Sequence, residues 1–416
     1  MIPTASEACG YARDCVVSLS MSTAQARNRF VFCLVEELLK DGSEILRANR
    51  VDLAAAEKDG QPARIVRQLA FTQRHIESRI QALGKIAGLP DPLGVLEGYR
   101  QLPNGLWAGK MCVPIGVVAF IYEAWPHTAL NAAALCLKAG NPCILKGSRE
   151  TRCTNQALQR IVERALHTAG LPVRSVQLIS HVDPEWMRQF VTDTRIDLII
   201  PCGGPNLVKE ISETARVPVL KHYRGVCQAF VHSAARLDKA EAIVVNAKCH
   251  APENSNALDS LFVDEAIAAE ALPRMCGALK KRGVEIRGDE RTRSLFPEAK
   301  EATEQDFASE FLDLVLAVAV VKGYEDAIER MRRYTSGHTD LILTEDQDLA
   351  LRFLREMDSG VVLVNASTLY NDGEELGLGA EIGISTDKLH ARGPIGLSEL
   401  TSRKWVVLGD GQVKTK

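Results

Sequence analysis

Hydrophobic and polar residues follow a helical period over roughly the first ninety residues. Apolar side chains recur at helical spacing over residues 23–58, and the pattern is interrupted near Asp41 and Gly42. A second helical pattern covers residues 63–88. Both segments are amphipathic and rich in charge, which is typical of helices that cover one side of a sheet. The pattern predicts a first helical segment broken at Asp41-Gly42 and a second, unbroken one.

The period changes at residue 113. VPIGVVAFIY predicts a buried strand, and PHTALNAAALCLKAG predicts a helix that ends at Gly140, where glycine favours a left-handed cap. PCILKG and the helix ending at Gly170 come next. SVQLIS, PEWMRQFVTD, IDLIIP and a helix over 206–214 continue the alternation. Strands that alternate with helices of this length predict βαβ units and a parallel sheet covered on both faces.

A second alternating block begins near residue 226. Its predicted strands and helices are, in order, VCQAFV, a helix over 238–248, LFV, a helix over 264–282, VEIRG, LDLVLAVAVV, YEDAIERMRRY, DLILT, a helix over 346–357 and GVVLVN. The polar run 298–310 predicts a loop or a surface helix, and the tail ends in a strand-like KWVVLG. The fold class is therefore α/β.

Length and composition narrow the functional classes. The 416 residues suggest two or three domains, with 46% hydrophobic and 25% charged residues as in ordinary globular proteins. The formal net charge of -3 leaves no basic surplus to neutralise phosphates, so we expect no nucleic-acid or membrane partner. The longest apolar run is too short to span a bilayer. We expect a protein that acts on a small molecule.

The cysteines indicate a reducing compartment. There are 11, an odd number, with no CxxC pair and no preceding signal peptide. Most lie in apolar runs, where cysteine behaves as a small hydrophobic residue. We expect reduced thiols and a cytoplasmic location.

Two loops at strand ends are candidates for binding a phosphorylated cofactor. Gly203 and Gly204 follow the strand IDLII and open a helix, so their N–H groups can approach an anion. Lys146, Ser148, Arg149 and Glu150 follow the strand PCIL, where a carboxylate can bond a ribose hydroxyl and a cation can pair with a 2′-phosphate. No GxGxxG motif is present. A tight turn at Gly203-Gly204 and a solvated loop over 146–150 are therefore the alternative interpretations.

A glycine-dense stretch over 373–383 includes Glu375. So many glycines around acidic residues suggest backbone that lies close to a ligand or another chain. A flexible loop is the alternative, although Leu376, Leu378 and Ile382 favour an ordered one.

Metal binding and hydrolase chemistry have little support. No pair among His222, His232, His250 and His390 has metal-ligand spacing, so no metal is expected. No GxSxG motif surrounds Ser255.

The loop over 246–260, NAKCHAPENSNALDS, lies between two apolar segments. A polar loop between buried elements can expose a reacting side chain in a fixed position. Ser255 is its candidate nucleophile, and an ordinary helix-to-strand connection is the alternative.

Several motifs occur together in a fixed order. They include PIGVVAFIYEAWPH, NAAALCLKAGNPCILKG, DLIIPCGGPNLV, VPVLKHYRGVC, NALDSLFV, RYTSGHTDLILTED, NASTLYNDGEELGLGAEIGIST and LTSRKWVVLGDGQV, from about residue 113 to the C-terminus. In these stretches the chain resembles the γ-glutamyl phosphate reductases (glutamate-5-semialdehyde dehydrogenases) of the aldehyde dehydrogenase superfamily.

This resemblance implies a fold, an activity and a cofactor. The family reduces L-glutamyl 5-phosphate to the semialdehyde with NADPH, in proline synthesis, through a thioester on a cysteine. It implies a Rossmann-like NADP(H) domain over 1–230 with about 366–392, a catalytic domain over 231–365, and an oligomerisation segment at 100–112 and 393–416. A homodimer or higher homo-oligomer is the expected assembly.

The sequence departs from the family pattern around the reacting position. The catalytic cysteine position is Ser255, while Asn256 and Ala257 match the family. Trp125, Cys202 and Leu369 stand at usual arginine positions, and Lys221 stands where the superfamily has a glutamate. A serine hydroxyl without a base stays protonated at neutral pH, whereas a free cysteine is about a few per cent thiolate.

We therefore expect an aldehyde dehydrogenase-like reductase with impaired turnover of glutamyl phosphate. Two alternatives remain open. The first is a non-catalytic relative that binds a nucleotide or a protein partner. The second is an enzyme for a different acyl substrate, with Ser255 or Cys249 as the nucleophile.

Overall fold

The chain folds into two compact units. The structure, a computed structural model, describes residues 3–180, 183–221 and 225–414. The first unit comprises Met1–Lys221, Gly377–Gly383 and Ile395–Lys416, and the second comprises His222–Leu376 and Ile384–Pro394. The segment 366–392 is thus divided between the two units.

The described residues contain fourteen α-helices and sixteen strands. The helices are α1 (Ala5–Ser20), α2 (Ala24–Lys58), α3 (Ala63–Leu69), α4 (Gln73–Gly88), α5 (Thr128–Lys138), α6 (Arg152–Ala169), α7 (Pro184–Val191), α8 (Pro205–Thr214), α9 (Leu237–Cys249), α10 (Glu265–Lys280), α11 (Glu290–Leu295), α12 (Glu304–Phe307), α13 (Gly323–Tyr334) and α14 (Gln347–Glu356). The strands are β1 (Leu96–Gln101), β2 (Trp107–Pro114), β3 (Val118–Tyr122), β4 (Cys143–Lys146), β5 (Val176–Ile179), β6 (Leu198–Cys202), β7 (Cys227–Val231), β8 (Leu258–Asp264), β9 (Glu285–Gly288), β10 (Lys300–Glu301), β11 (Val315–Val321), β12 (Thr339–Leu343), β13 (Val361–Val364), β14 (Ile384–Ser385), β15 (Gly393–Pro394) and β16 (Thr401–Leu408).

Helix α2 is continuous, so the predicted break at Asp41-Gly42 is wrong. Gly42 is buried inside the helix, and a Cβ added there would lie 2.9 Å from Ile76 Cδ1 on α4. Asp41 accepts a hydrogen bond from Arg164 on α6 at 2.8 Å. Both residues serve packing between helices, and tertiary contacts outweigh the low helix propensity of glycine.

The single helix predicted over 63–88 is also wrong, because two helices occupy this stretch. The chain breaks between Leu69 and Gln73. The Phe71 N–H donates to the Asn49 side chain at 2.7 Å, and Thr72 caps α4 in a reciprocal pair with His75. Those bonds satisfy main-chain groups that a continuous helix would have bonded internally.

Helix α1 was missed, although its start has a sequence signal. Thr4 and Glu7 form a capping box, in which each side chain accepts from the other residue's main chain. The spacing Thr-x-x-Glu is the usual signature of such a start.

The parallel sheet of the first unit has the strand order β5-β4-β3-β6. Val118 is paired with Cys143 on one side and with Leu198 on the other. The strand predicted over 113–122 is in fact two: β2 ends at Pro114, and Gly116 turns the chain at φ 128° before β3. A Cβ at Gly116 would lie 1.9 Å from the Asp197 carboxylate, which explains why glycine is needed at this turn.

Helix α5 is buried along its length, which is expected of a helix inside the unit. The predicted left-handed glycines after α5 and α6 are confirmed, with φ 77° at Gly140 and 73° at Gly170.

A separate antiparallel sheet in the first unit joins β1, β2 and β16. The strand predicted in the C-terminal tail is confirmed as β16, while β1 and the part of β2 before Val113 were not predicted. Strand β16 lies at the edge of this sheet, and most of its residues are exposed.

The second unit contains a parallel sheet with the strand order β10-β9-β11-β8-β7-β12-β13. On one face Val231, Leu261 and Leu341 pack against α9 and α10. On the other face Phe230, Phe262 and Ile342 pack against α13 and α14. The alternation predicted from residue 226 onward is confirmed, and the short pair β14–β15 lies in the same unit.

Candidate functional sites

The predicted phosphate loops of the first unit lie at one edge of its parallel sheet. Lys146 ends β4 beside Ile121 of β3, and Cys202 ends β6 beside Tyr122 of β3. Parallel strands all end at the same edge, so the residues after β4 and after β6 are brought to the two sides of β3. Lys146, Ser148, Arg149, Glu150, Gly203 and Gly204 therefore share this edge.

The strand order also creates a switch point there. The chain passes from β3 to β4 and β5 on one side, and then places β6 on the other side of β3. In open α/β sheets, ligands bind outside the carboxyl ends of the strands where the order reverses in this way. The edge formed by the carboxyl ends of β3 and β6 is such a place.

The turn after β4 is tightly packed. A Cβ added at Gly147 would lie 2.1 Å from Asn155 Nδ2 and 2.9 Å from the Tyr122 hydroxyl. The Tyr122 hydroxyl donates to Asn155 Oδ1 at 2.7 Å, and the Gly147 N–H donates to the Ile179 carbonyl at 2.8 Å. The backbone between Lys146 and Ser148 is therefore fixed by buried polar groups.

The charged residues of this loop differ in exposure. Lys146 is half-buried, and desolvation lowers the pKa of its ammonium group, while Glu123 and Glu150 oppose that effect. Arg149 is exposed and lies 3.9 Å from Glu150. Ser148 is buried, with its hydroxyl 3.3 Å from that of Thr151. Lys146 and Arg149 are thus the cations that can meet an anionic ligand.

Glu123 is a residue of this edge that the sequence analysis missed. The Gly204 N–H donates to Glu123 Oε2 at 2.7 Å, so the carboxylate lies at the N-terminus of α8. A Cβ at Gly203 would lie 2.4 Å from the same oxygen. An anion is favoured at a helix N-terminus. The sequence could have indicated Glu123, because it is the first polar residue after β3.

Glu375 does not belong to this unit. It is exposed in the second unit, where its N–H donates to Asp372 Oδ1 at 3.3 Å. Residues 377–383 of the glycine-dense stretch are packed within the first unit, since a Cβ at Gly379 would meet Leu89 at 3.0 Å and Ile382 is buried.

In the second unit, Ser255 lies at the edge where strands begin. It follows α9 and precedes β8, and its side chain is half-buried. The Cys227 thiol donates to the Ser255 carbonyl at 3.2 Å. A Cβ at Gly225 would lie 2.8 Å from that carbonyl oxygen and 2.9 Å from Ser255 Cβ. The main chain at Ser255 is therefore held tightly.

Asn256 has its amide group committed to the main chain. Its Nδ2 donates to the carbonyls of Leu369 at 3.2 Å and Asn371 at 3.1 Å. Its Oδ1 is buried without a hydrogen-bond partner among the described residues. Asn256 thus ties the Ser255 segment to the turn that contains Leu369.

The hydrogen bond described for Ser255 is accepted by its carbonyl oxygen. The Glu310 carboxylate lies close to the same place, since a Cβ added at Gly225 would be 2.8 Å from Glu310 Oε1 and 2.9 Å from Ser255 Cβ. His338 is buried behind the Cys227 thiol, with its Nδ1 3.5 Å from Sγ.

The neighbouring thiols are poor substitutes. Cys249 ends α9 and packs against the hydrophobic core, and desolvation raises the pKa of its thiol. A helix C-terminus further disfavours a thiolate. Cys227 is fully buried, and desolvation raises the pKa of its thiol well above the usual range.

Buried acidic groups lie beneath the Ser255 segment. Asp259 on β8 is 3.6 Å from the buried Lys248 ammonium group, and burial raises the pKa of the Asp259 carboxyl to about 7. Burial likewise raises the pKa of Asp340 to about 7, although Ser359 donates a hydrogen bond to its carboxylate.

Three positions where the resemblance implies an arginine hold other residues in this chain, namely Trp125, Cys202 and Leu369. Trp125 has φ 53°, which is strained for a bulky residue. Burial raises the pKa of Cys202 to about 11, and Leu369 is half-buried. None of these side chains offers a cation for an anionic ligand.

Metal ligands are not grouped in the described ranges, where no set of three or more His, Cys, Asp or Glu side chains could hold an ion. His222 lies outside those ranges. No described helix is long and apolar enough to cross a membrane.

Comparison with known proteins identifies the family. The model of the aldehyde dehydrogenase family matches residues 7–296. The chain belongs to the aldehyde dehydrogenase family. It is 43% identical over 397 residues to a γ-glutamyl phosphate reductase of Thermodesulfovibrio yellowstonii, covering 95% of each chain. It is 45% identical to the reductase of Desulfotalea psychrophila, also over 95% of each chain.

A solved structure agrees over the whole length. The crystal structure of γ-glutamyl phosphate reductase from Thermotoga maritima matches with a TM-score of 0.95 at 38% identity, covering 99% of this chain and 100% of that one. The resemblance and the aldehyde dehydrogenase-like α/β fold predicted from the sequence are confirmed. Within the aldehyde dehydrogenase family, whose members are oxidoreductases that use nicotinamide cofactors, the chain belongs with the γ-glutamyl phosphate reductases.

The buried Asp340 makes stability depend on pH. Its folded-state pKa of about 7 lies above the value of about 3.9 for an exposed aspartate, so the folded protein holds a proton that the unfolded chain releases. The stabilisation of the folded protein by this bound proton is fully present below about pH 4 and is lost as the pH rises through 7. Asp340→Asn should remove on the order of 2 kcal/mol of the fall in stability between pH 5 and 8.

Melting temperatures at several pH values test this expectation. Glu329→Gln, at an exposed carboxylate in the same unit, is the control and should keep the slope of the unchanged protein. An Asp340→Asn variant with that same slope would contradict the expectation.

Proposed function

We propose that this chain is an NADP(H)-dependent reductase that acts on the L-glutamyl 5-phosphate and L-glutamate 5-semialdehyde pair, with slow turnover. The observation behind the proposal is identity of 42–45% over most of the chain to proteins named γ-glutamyl phosphate reductase. In that reaction the acyl phosphate gains a hydride from NADPH and a proton, and phosphate leaves.

We further propose that the switch-point edge of the first unit binds the cofactor. Gly203 and Gly204 at the start of α8 let the main chain approach the pyrophosphate, which would replace the Glu123 carboxylate that now accepts from the Gly204 N–H. Lys146 and Arg149 are close enough to Glu150 to form a ribose and 2′-phosphate site, with Ser148 packed behind them. NADPH supplies the hydride when bound, and these residues orient it.

Ser255 is proposed as the position that meets the acyl group, with Asn256 fixing the segment. A thiol is the better nucleophile there, because its thioester accepts hydride more readily than an oxygen ester does. A serine hydroxyl, unlike a thiol, is almost wholly protonated near neutral pH. Slow turnover follows from that chemistry.

Ser255→Cys should raise the rate of phosphate-dependent NADP⁺ reduction with L-glutamate 5-semialdehyde by roughly tenfold or more, because a thiolate is accessible near neutral pH. Steady-state absorbance of NADPH measures it. Ser294→Cys, which adds an exposed thiol elsewhere in the second unit, is the matched control and should change nothing.

The outcomes separate the alternatives. Robust activity of the unchanged protein would rule out impaired turnover. If neither protein turns over but NADPH still binds, a non-catalytic nucleotide-binding protein is favoured. Loss of both functions favours a protein-binding role, and turnover of another acyl phosphate favours a different substrate.

Gly203→Ala should weaken NADPH binding by about tenfold or more. Its Cβ would collide with Glu123 Oε2 at 2.4 Å and Leu207 at 2.8 Å, displacing the start of α8. Fluorescence titration with NADPH measures the Kd. Gly277→Ala on α10, where a Cβ meets nothing within 4 Å, is the control. An unchanged Kd for Gly203→Ala would contradict the proposed cofactor edge.

We propose that the chain forms a homodimer or higher homo-oligomer through the sheet β1-β2-β16. Trp107, Trp405, Val407 and Leu408 are exposed on it, and β16 is a free edge strand. Large exposed apolar surface and a free edge both favour a partner. The proposed oligomerisation segment, at 100–112 and 393–416, covers most of β2 and all of β16. The proposed cofactor domain, over 1–230 with about 366–392, overlaps mainly with the first unit, and the proposed catalytic domain over 231–365 falls in the second.

Trp405→Glu should reduce the molar mass in solution to that of the monomer, because a charge would be buried in the contact. Light scattering after size-exclusion chromatography measures the mass. Leu351→Glu, at an exposed leucine on α14, should leave the mass unchanged.

A cytoplasmic location accords with the eleven cysteines, which are all free thiols.

A further inference from the structure

The segment that contains Ser255 has an ion pair at its base. We propose that Lys248 and Asp259 act as positioning residues, which hold the two ends of residues 249–258, the Ser255 loop, in a fixed arrangement. The pair then affects the order of this loop more strongly than it affects the stability of the second unit. This role does not require turnover at Ser255.

The two residues stand at the two ends of the loop. Lys248 lies in the last turn of α9, and Asp259 is the second residue of β8. Their charged atoms, Nζ and Oδ1, are 3.6 Å apart, and the side chains are 0% and 3% exposed. A contact between the residues that flank a loop shortens the span its ends can explore.

Asp259 extends this restraint to neighbouring segments. Its carboxylate accepts from the N–H groups of Cys227 at 3.3 Å and Phe311 at 3.1 Å. Cys227 in turn donates its thiol hydrogen to the Ser255 carbonyl at 3.2 Å. The Phe311 ring lies 5.8 Å from the Lys248 ammonium group. One carboxylate therefore connects the base of the loop to the residue at its tip.

Stability is a poor explanation for a pair in this place. Lys248 Nζ has no hydrogen-bond partner among the described residues, and its separation from Asp259 is long for a hydrogen bond. Removing two charges from water is costly, and well-packed apolar residues often replace a buried ion pair without loss of stability. The charges instead favour one arrangement, in which Lys248 and Asp259 face each other. Fixing a local geometry is the role that remains.

The double variant Lys248→Met with Asp259→Leu separates the two roles. We expect a melting temperature close to that of the unchanged protein, because apolar side chains fill the same space. We expect the amides of the Ser255 loop to exchange hydrogen for deuterium about tenfold faster or more, while those of β11 keep their rate. Mass spectrometry of peptides from the full chain measures both.

A second double variant, Lys248→Gln with Asp259→Asn, removes the charges but keeps hydrogen-bonding groups, and should also loosen the loop. Arg274→Met with Glu241→Leu removes an exposed ion pair that also involves α9 and is the control. Unchanged loop exchange in either folded double variant would overturn the proposal. So would faster exchange in β11 to the same degree, or failure of both double variants to fold, because the pair would then be a general structural element.

Discussion

Both candidate sites depend on the parallel pairing of strands. When neighbouring strands run in one direction, every loop of one kind must collect at one edge of the sheet. In the first unit the edge where strands end gathers Lys146, Glu123 and Gly204 around β3. In the second unit the opposite edge gathers Gly225, Cys227 and Ser255, which come just before or at the start of strands. Residues far apart in the chain meet for this reason.

Desolvation is the common feature of the Ser255 surroundings. The buried groups there include Cys227, Lys248, Asp259 and Asp340. Burial shifts the pKa of each in the direction that favours the neutral form of the side chain. Such groups hold main chain in place and are unsuited to meeting a substrate. The main chain of the Ser255 loop is therefore well fixed in position.

Much of the fold could be predicted because the periods of hydrophobic residues are strong. The alternation from residue 113 onward matches the two parallel sheets, and the glycines at 140 and 170 have the left-handed conformation expected of them. Local patterns failed where a contact distant in sequence decided the outcome. Gly42 stays inside α2 because Ile76 packs on it, and Phe71 leaves its helix because Asn49 accepts its N–H group.

The sequence by itself determined the fold class and the family, because these depend on the order of residue types along the chain. Only the tertiary structure decided that Glu123 lies at the start of α8 and that Lys248 faces Asp259 across the base of the Ser255 loop. It also decided that Glu375 lies in the other unit from Lys146. Hydrogen bonds and ion pairs act over a few ångströms of space, and spacing along a chain does not report which side chains come that close.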